Sequence, residues 1–187
     1  MATCMQEIEQ HLAAEDLAFR RHESGALVLV WSTDHYRNNN GDNSLLTVIG
    51  LREEGELVSI FAPAAYSVTN AQTAPALVTC AMISARVPLV CFEFIEKQGI
   101  IVPSIDLSIE DGTLTAEQLG RCLNTLVGAV DTYHDVVRLA IDEGTVDPAL
   151  VDDPAQCRPR DDLRDLLDLL PPEVILEAAE RARARQL

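Results

Sequence analysis

Aromatic residues are scarce: one Trp, three Tyr and four Phe in 187 positions. With 48% hydrophobic residues, the chain can still bury a sizeable core, but one built from Leu, Ile, Val and Ala. Lysine is almost missing; Lys97 stands alone and the other basic residues are Arg. There is no C-x-x-C pair, and the five cysteines (Cys4, Cys80, Cys91, Cys122, Cys157) stand singly and in odd number. That excludes a disulfide framework and predicts a reduced, intracellular chain with packed thiols, Cys80, Cys91 and Cys122 among them. No run approaches the roughly 20 apolar residues of a membrane span. The first residues carry acids and no apolar stretch, so no signal peptide is expected and a cytoplasmic protein is. G-x-S-x-G, a phosphate-cradling glycine loop and H-E-x-x-H are also missing, and the four histidines are scattered. No catalytic residue, metal or cofactor is expected from this pattern.

Acid is what the chain has in excess. Thirty Asp and Glu against fourteen Lys and Arg give a net charge of −16. Phosphate backbones and anionic lipid should repel it, so neither nucleic acid nor membrane is an expected partner. The charge serves solubility, or it forms a surface for basic segments of another protein.

The strongest periodic signal runs from Thr115 to Glu143. Leu119, Leu123, Leu126, Val130, Tyr133, Val137 and Ala140 recur at spacings of four and three, which predicts one long amphipathic helix. Thr115 with Gln118 fits a capping box, Leu114 with Leu119 a hydrophobic staple, and Gly144 a helix end. Upstream, a helix over Thr3–Ala14 with Thr3 as cap leads to strand-like alternation at Leu17–Arg20. The apolar run Ala26–Trp31 reads as a strand buried on both faces. A hairpin follows over Ser44–Leu51 and Glu56–Ala62. A polar connection, Tyr66–Thr73, leads to a short helix over Ala74–Arg86 capped by Thr73. Leu89–Glu96 and Ile100–Glu110 form a last hairpin, with Pro103 suggesting an edge or a bulge. The organisation read from this is a domain over 1–144, then a proline-containing linker over Asp147–Arg160 and two tail helices, Asp161–Leu170 and Glu173–Arg185, within 145–187.

Candidate chemistry is thin. Asp131 and His134 sit three apart and could reach one ion, but two ligands do not make a site. The plainer reading is a solvated face with Asp135–Arg138 and Arg138–Asp142 pairs. The loop TDHYRNNNGDN fails as a calcium loop: with Gly41 in sixth place, Tyr36 and Thr47 fall where acids are required. The helix over Ala74–Arg86 has more apolar surface than one face needs. Its Leu77, Val78, Met82 and Ile83 are the candidate interface for a second copy or a partner.

The order helix, antiparallel strands, short helix, strand hairpin, long helix resembles the YbjN family, whose fold is like that of type III secretion chaperones. The stretch VCFEFIEKQGIIVPSIDLSIEDGTLTAEQLGRCLNTLVGAVDTYHDVV carries the likeness, within Met1–Gly144. The resemblance implies an α+β fold in two layers, a single curved antiparallel sheet with helices packed on it. It also implies dimerisation, no known enzymatic chemistry and the holding of extended partner segments. The expectation is a non-enzymatic, homodimeric, chaperone-like adaptor. The alternative is a regulator that responds to a small molecule or metal bound between helix and sheet.

Overall fold

Alternating side chains write the strands of this molecule, and a computed structural model describes residues 3–69, 71–110 and 112–157. The chain begins with α1 (Met5–Ala14). Five strands follow: β1 (Arg20–Arg21), β2 (Leu27–Ser32), β3 (Ser44–Arg52), β4 (Leu57–Phe61) and β5 (Tyr66–Ser67). Then come α2 (Thr73–Ser84), β6 (Cys91–Ile95) and β7 (Ile100–Ser108). The helices α3 (Ala116–Thr132), α4 (His134–Glu143) and α5 (Pro148–Asp152) close the described part.

All seven strands join one antiparallel sheet, in the order β1-β2-β3-β4-β7, with β5 and β6 also paired to β7. β6 spans the positions of β7 that β4 and β5 flank, so it occupies the opposite side of that strand. The fold is α+β, as the sequence predicts.

One sheet face carries Leu27, Leu29, Ile49, Val58, Ile60 and Ile105 into the core. α1 brings Ile8 and Leu12 to it, and α3 brings Leu119, Cys122, Leu123 and Leu126. Each fully buried Leu or Ile contributes about 1.5–3 kcal/mol. The other face shows residues of the opposite parity, among them Val30, Leu46 and Ile95, each more than a third exposed.

Several expected boundaries move. The long helix is two helices, broken at Tyr133, whose backbone (φ −98°, ψ 8°) leaves the helical region. The capping box of Thr115 and Gln118 is present, and Gly144 ends α4 at φ 70°. α1 starts one residue after Cys4, which stands at its cap position. Thr3 is buried, and its Oγ1 accepts from the Leu114 amide at 3.4 Å, tying the chain start to the approach of α3. Thr73 lies inside α2, and its hydroxyl donates back to the Thr69 carbonyl.

β2 alternates between buried and exposed rather than being enclosed on both faces; Val30 is 66% exposed. The polar connection after β4 includes β5, with Tyr66 opposite Ile101. Pro103 lies on an inner strand, not an edge. Its carbonyl accepts from the Ala62 amide at 2.9 Å, where the chain passes from β4 to β5, so the missing N–H falls at that gap in the ladder.

The expected linker after Gly144 is partly structured. Asp147 caps α5 through the Ala149 amide, Val151 is buried, and Asp152 pairs with Arg86 at 2.6 Å. Residues 154–157 form a single 3₁₀ turn. The two tail helices predicted from the sequence lie outside the described residues.

Candidate functional site

The predicted interface on α2 divides on inspection. A helix apolar on nearly every side can be shared, and α2 packs against α4, α5 and β6. Ile83 is fully enclosed by the chain and offers no outward surface. Leu77 and Met82 are half-buried, and Val78 is 50% exposed. What remains for a partner is therefore a patch centred on Val78.

A second set of exposed apolar residues, among those described, lies on the sheet. Cross-strand register sets Val28, Val48, Phe61, Ser104 and Cys91 in one row on the outer face, with Val30 beside Leu46 in another. Gly50, opposite Ser59, adds a bare stretch of backbone with open space where a Cβ would stand. Between this row and the β6–β7 hairpin lies a cleft of about 320 Å³. Phe61, Ile95, Ile100 and Val102 give its apolar lining, and Arg52, Glu93 and Asp106 its charge. Ser59 Oγ is buried there without a hydrogen-bond partner.

The edge of β6 that faces away from β7 has no strand partner among the described residues. Pro103 directs its backbone toward β4 and β5, so its register partner Phe92 makes no ladder bonds with it. Bonding alternates along an antiparallel pair, so Phe92 and Phe94 both turn their N–H and C=O groups away from β7. Among the described residues, no backbone group answers them.

A third arrangement forms where α3 ends. The Asp131 carboxylate accepts from three successive loop amides: Asp34 at 3.3 Å, His35 at 2.8 Å and Tyr36 at 2.8 Å. Burial would raise this carboxyl, but the Tyr36, His35 and Asp34 amides outweigh it and hold it below its ordinary value. Tyr36 is carried inward, and its hydroxyl donates to the Ala65 carbonyl at 3.1 Å. The Tyr66 hydroxyl donates to the Val130 carbonyl at 3.2 Å, satisfying one of the acceptors that a helix end leaves open.

His134, the first residue of α4, packs between these rings. It lies near-parallel to Tyr66 with centroids 6.0 Å apart, and edge-on to Tyr36 at 5.1 Å. Its Nδ1 is buried without a partner. Burial lowers its proton affinity, and Arg138 and Arg37 lower it further against the opposing pull of Asp135 and Asp131.

The sequence pair Asp131/His134 thus stands in one place, with the carboxylate turned to loop amides and the ring packed between two tyrosines. Among the described residues, no group of three His, Cys, Asp or Glu could hold an ion. Nor is this a solvated face: His134 is buried, Asp131 anchors a loop, and of the two expected pairs only Arg138–Asp142 is found, at 2.5 Å. The signal that could have revealed the cluster is Tyr36, an aromatic ring inside an otherwise polar loop, which needs somewhere to be buried. The thiols also divide. Cys80 and Cys122 are packed, and burial pushes the Cys80 thiol up to about 12. Cys91, expected to be packed, is exposed on the outer face of β6, a strand that among the described residues pairs with β7 alone.

No protein-family model matches the chain, and no curated protein matches it. Among solved structures, it is similar to YbjN from E. coli, described as a candidate transcription regulator. That likeness has 15% sequence identity and a TM-score of 0.49, covering 75% of this chain and 91% of the other. No helix of the described residues is long and apolar enough to cross a membrane.

Proposed function

We propose that this chain is a non-enzymatic protein-binding module that holds an extended segment of a partner protein against the open edge of β6. The observation that supports this is the pair of unanswered backbone positions, Phe92 and Phe94, beside an apolar cleft on the outer sheet face. A strand added there gains main-chain hydrogen bonds, and every second side chain points into the cleft. The partner segment is basic, since the chain carries −16 and Glu93 and Asp106 line the cleft. Its apolar residues alternate with its basic ones, to meet Ile95, Ile100 and Val102.

The test is a selection of extended peptides from a display library, followed by hydrogen exchange on the complex. Bound peptide slows exchange at the Phe92 and Phe94 amides and weakens on adding salt. A selected peptide that protects neither amide overturns the edge reading. Dimerisation belongs to the same proposal, with the second copy seated on the patch around Val78. Light scattering of the wild type and of Val78→Glu decides it: a strict monomer at micromolar concentration, or a dimer untouched by Val78→Glu, sinks that seat.

A further inference from the structure

We infer that the cavity between the Asn-rich loop and the α3–α4 junction binds a small organic anion of metabolite size, carrying a carboxylate or phosphate. This does not rest on the peptide-binding proposal; the site lies on different elements.

The first observation is the lining. The cavity measures about 340 Å³, within the range of small-ligand sites. Arg37, Arg138, Asn38, Asn39, Tyr66 and His134 provide its polar wall. Among the described residues no carboxylate lines it, in a chain where acids outnumber bases thirty to fourteen. Two guanidinium groups, each with five N–H donors and no acceptor, call for an acceptor-rich ligand. Arg138 gives one nitrogen to Asp142 and keeps further donors. Arg37 makes no ion pair among the described residues.

The second observation is the orphaned nitrogen of His134, a residue only 6% exposed at the cavity wall. A buried ring nitrogen without a partner costs about 1–3 kcal/mol. The neighbouring rings are fixed by hydrogen bonds of their own, Tyr36 to Ala65 and Tyr66 to Val130, so neither hydroxyl proton is free for it. An anion between Arg37 and Arg138 favours the protonated ring and gives His134 a counter-charge.

The third observation is preorganisation. Asn38 Oδ1 accepts from the Asn40 and Asp42 amides, which folds the loop on itself. Asp131 fastens the other end of the loop to α3 through three amides. The lip of the cavity is therefore held in shape before a ligand arrives, which lowers the entropic cost of binding.

The probes are inorganic phosphate and succinate, each titrated into the full chain at constant ionic strength made up with chloride. The readouts are the Arg side-chain and His134 ring resonances. One probe should give saturable shifts with a single midpoint at His134 and both Arg side chains. Arg37→Gln and Arg138→Gln should each weaken binding about tenfold or more, as expected for a lost charge-assisted hydrogen bond. Both residues are partly exposed, so these variants keep the fold, confirmed by unchanged amide spectra away from the loop. Linear shifts with both probes overturn the site. So does saturable binding that neither Arg variant weakens, which would place the anion elsewhere.

Discussion

Asp131 gives its whole carboxylate to a neighbouring loop, and that assignment has a pH signature. Its folded pKa is depressed below the ordinary 3.8, so its contribution is present above 3.8 and is lost as pH falls through the folded value. Asp131→Ala should cost about 1–2 kcal/mol at pH 7, the charge-assisted bonds being discounted for partial exposure. Urea titrations should show that difference shrinking at strongly acid pH; an equal loss at both ends would remove the carboxylate's charge from the explanation. His134 works in the opposite range. Its folded pKa lies below 6.5, so just under that value the unfolded chain takes a proton that the folded chain refuses. Stability therefore falls as pH drops below 6.5, with Tyr36 and Tyr66 packed on the ring and the charges of Asp135, Arg138, Arg37 and Asp131 acting on it. In His134→Phe that part of the slope should vanish, read from denaturation midpoints between neutral pH and pH 5. The pair was visible in the sequence, but its role was not. Three-residue spacing says two side chains can meet; it cannot say that a loop nearly a hundred residues earlier will meet them.

Elements were legible wherever local pattern and tertiary demand agreed. Thr115 and Gln118 form the capping box that their spacing predicts, and Thr115→Ala should cost about 1 kcal/mol by thermal unfolding. The break at Tyr133 was not legible, because the apolar rhythm from Leu119 to Ala140 runs through it without a fault. What marks the break is non-local: Tyr66 on the Val130 carbonyl and the loop on Asp131. α2 was legible as an over-apolar helix, but not as to which side turned outward. The structure separates the two outcomes. Ile83→Glu buries a charge in the core and should unfold the domain, whereas Val78→Glu sits at a half-exposed position and should change the stability of the single chain, apart from any loss of the dimer, by less than about 0.5 kcal/mol. Circular dichroism melts of the two variants check the contrast.

At the scale of the molecule, an antiparallel sheet with helices against it followed from the two hairpins, Ser44–Ala62 and Leu89–Glu110, from the order of elements and from the helical period of α3. Which face stayed bare did not, since Val28, Val30, Leu46 and Val48 look as apolar in sequence as the residues they alternate with. Burial there depends on where the helices land. Thiol labelling reads the same partition: Cys4 and Cys91 should react with an aromatic disulfide reagent in the native state, while Cys80 and Cys122 should wait for unfolding. Rapid labelling of Cys80 would contradict its burial. The loop held by Asp131 has a consequence of a different kind. An Asn-rich surface segment between two strands would ordinarily be the first place a protease nicks. Here the bonds at Asp34, His35 and Tyr36 must open before the chain can enter a protease cleft, so the cutting rate at this loop times the unhooking of the end of α3.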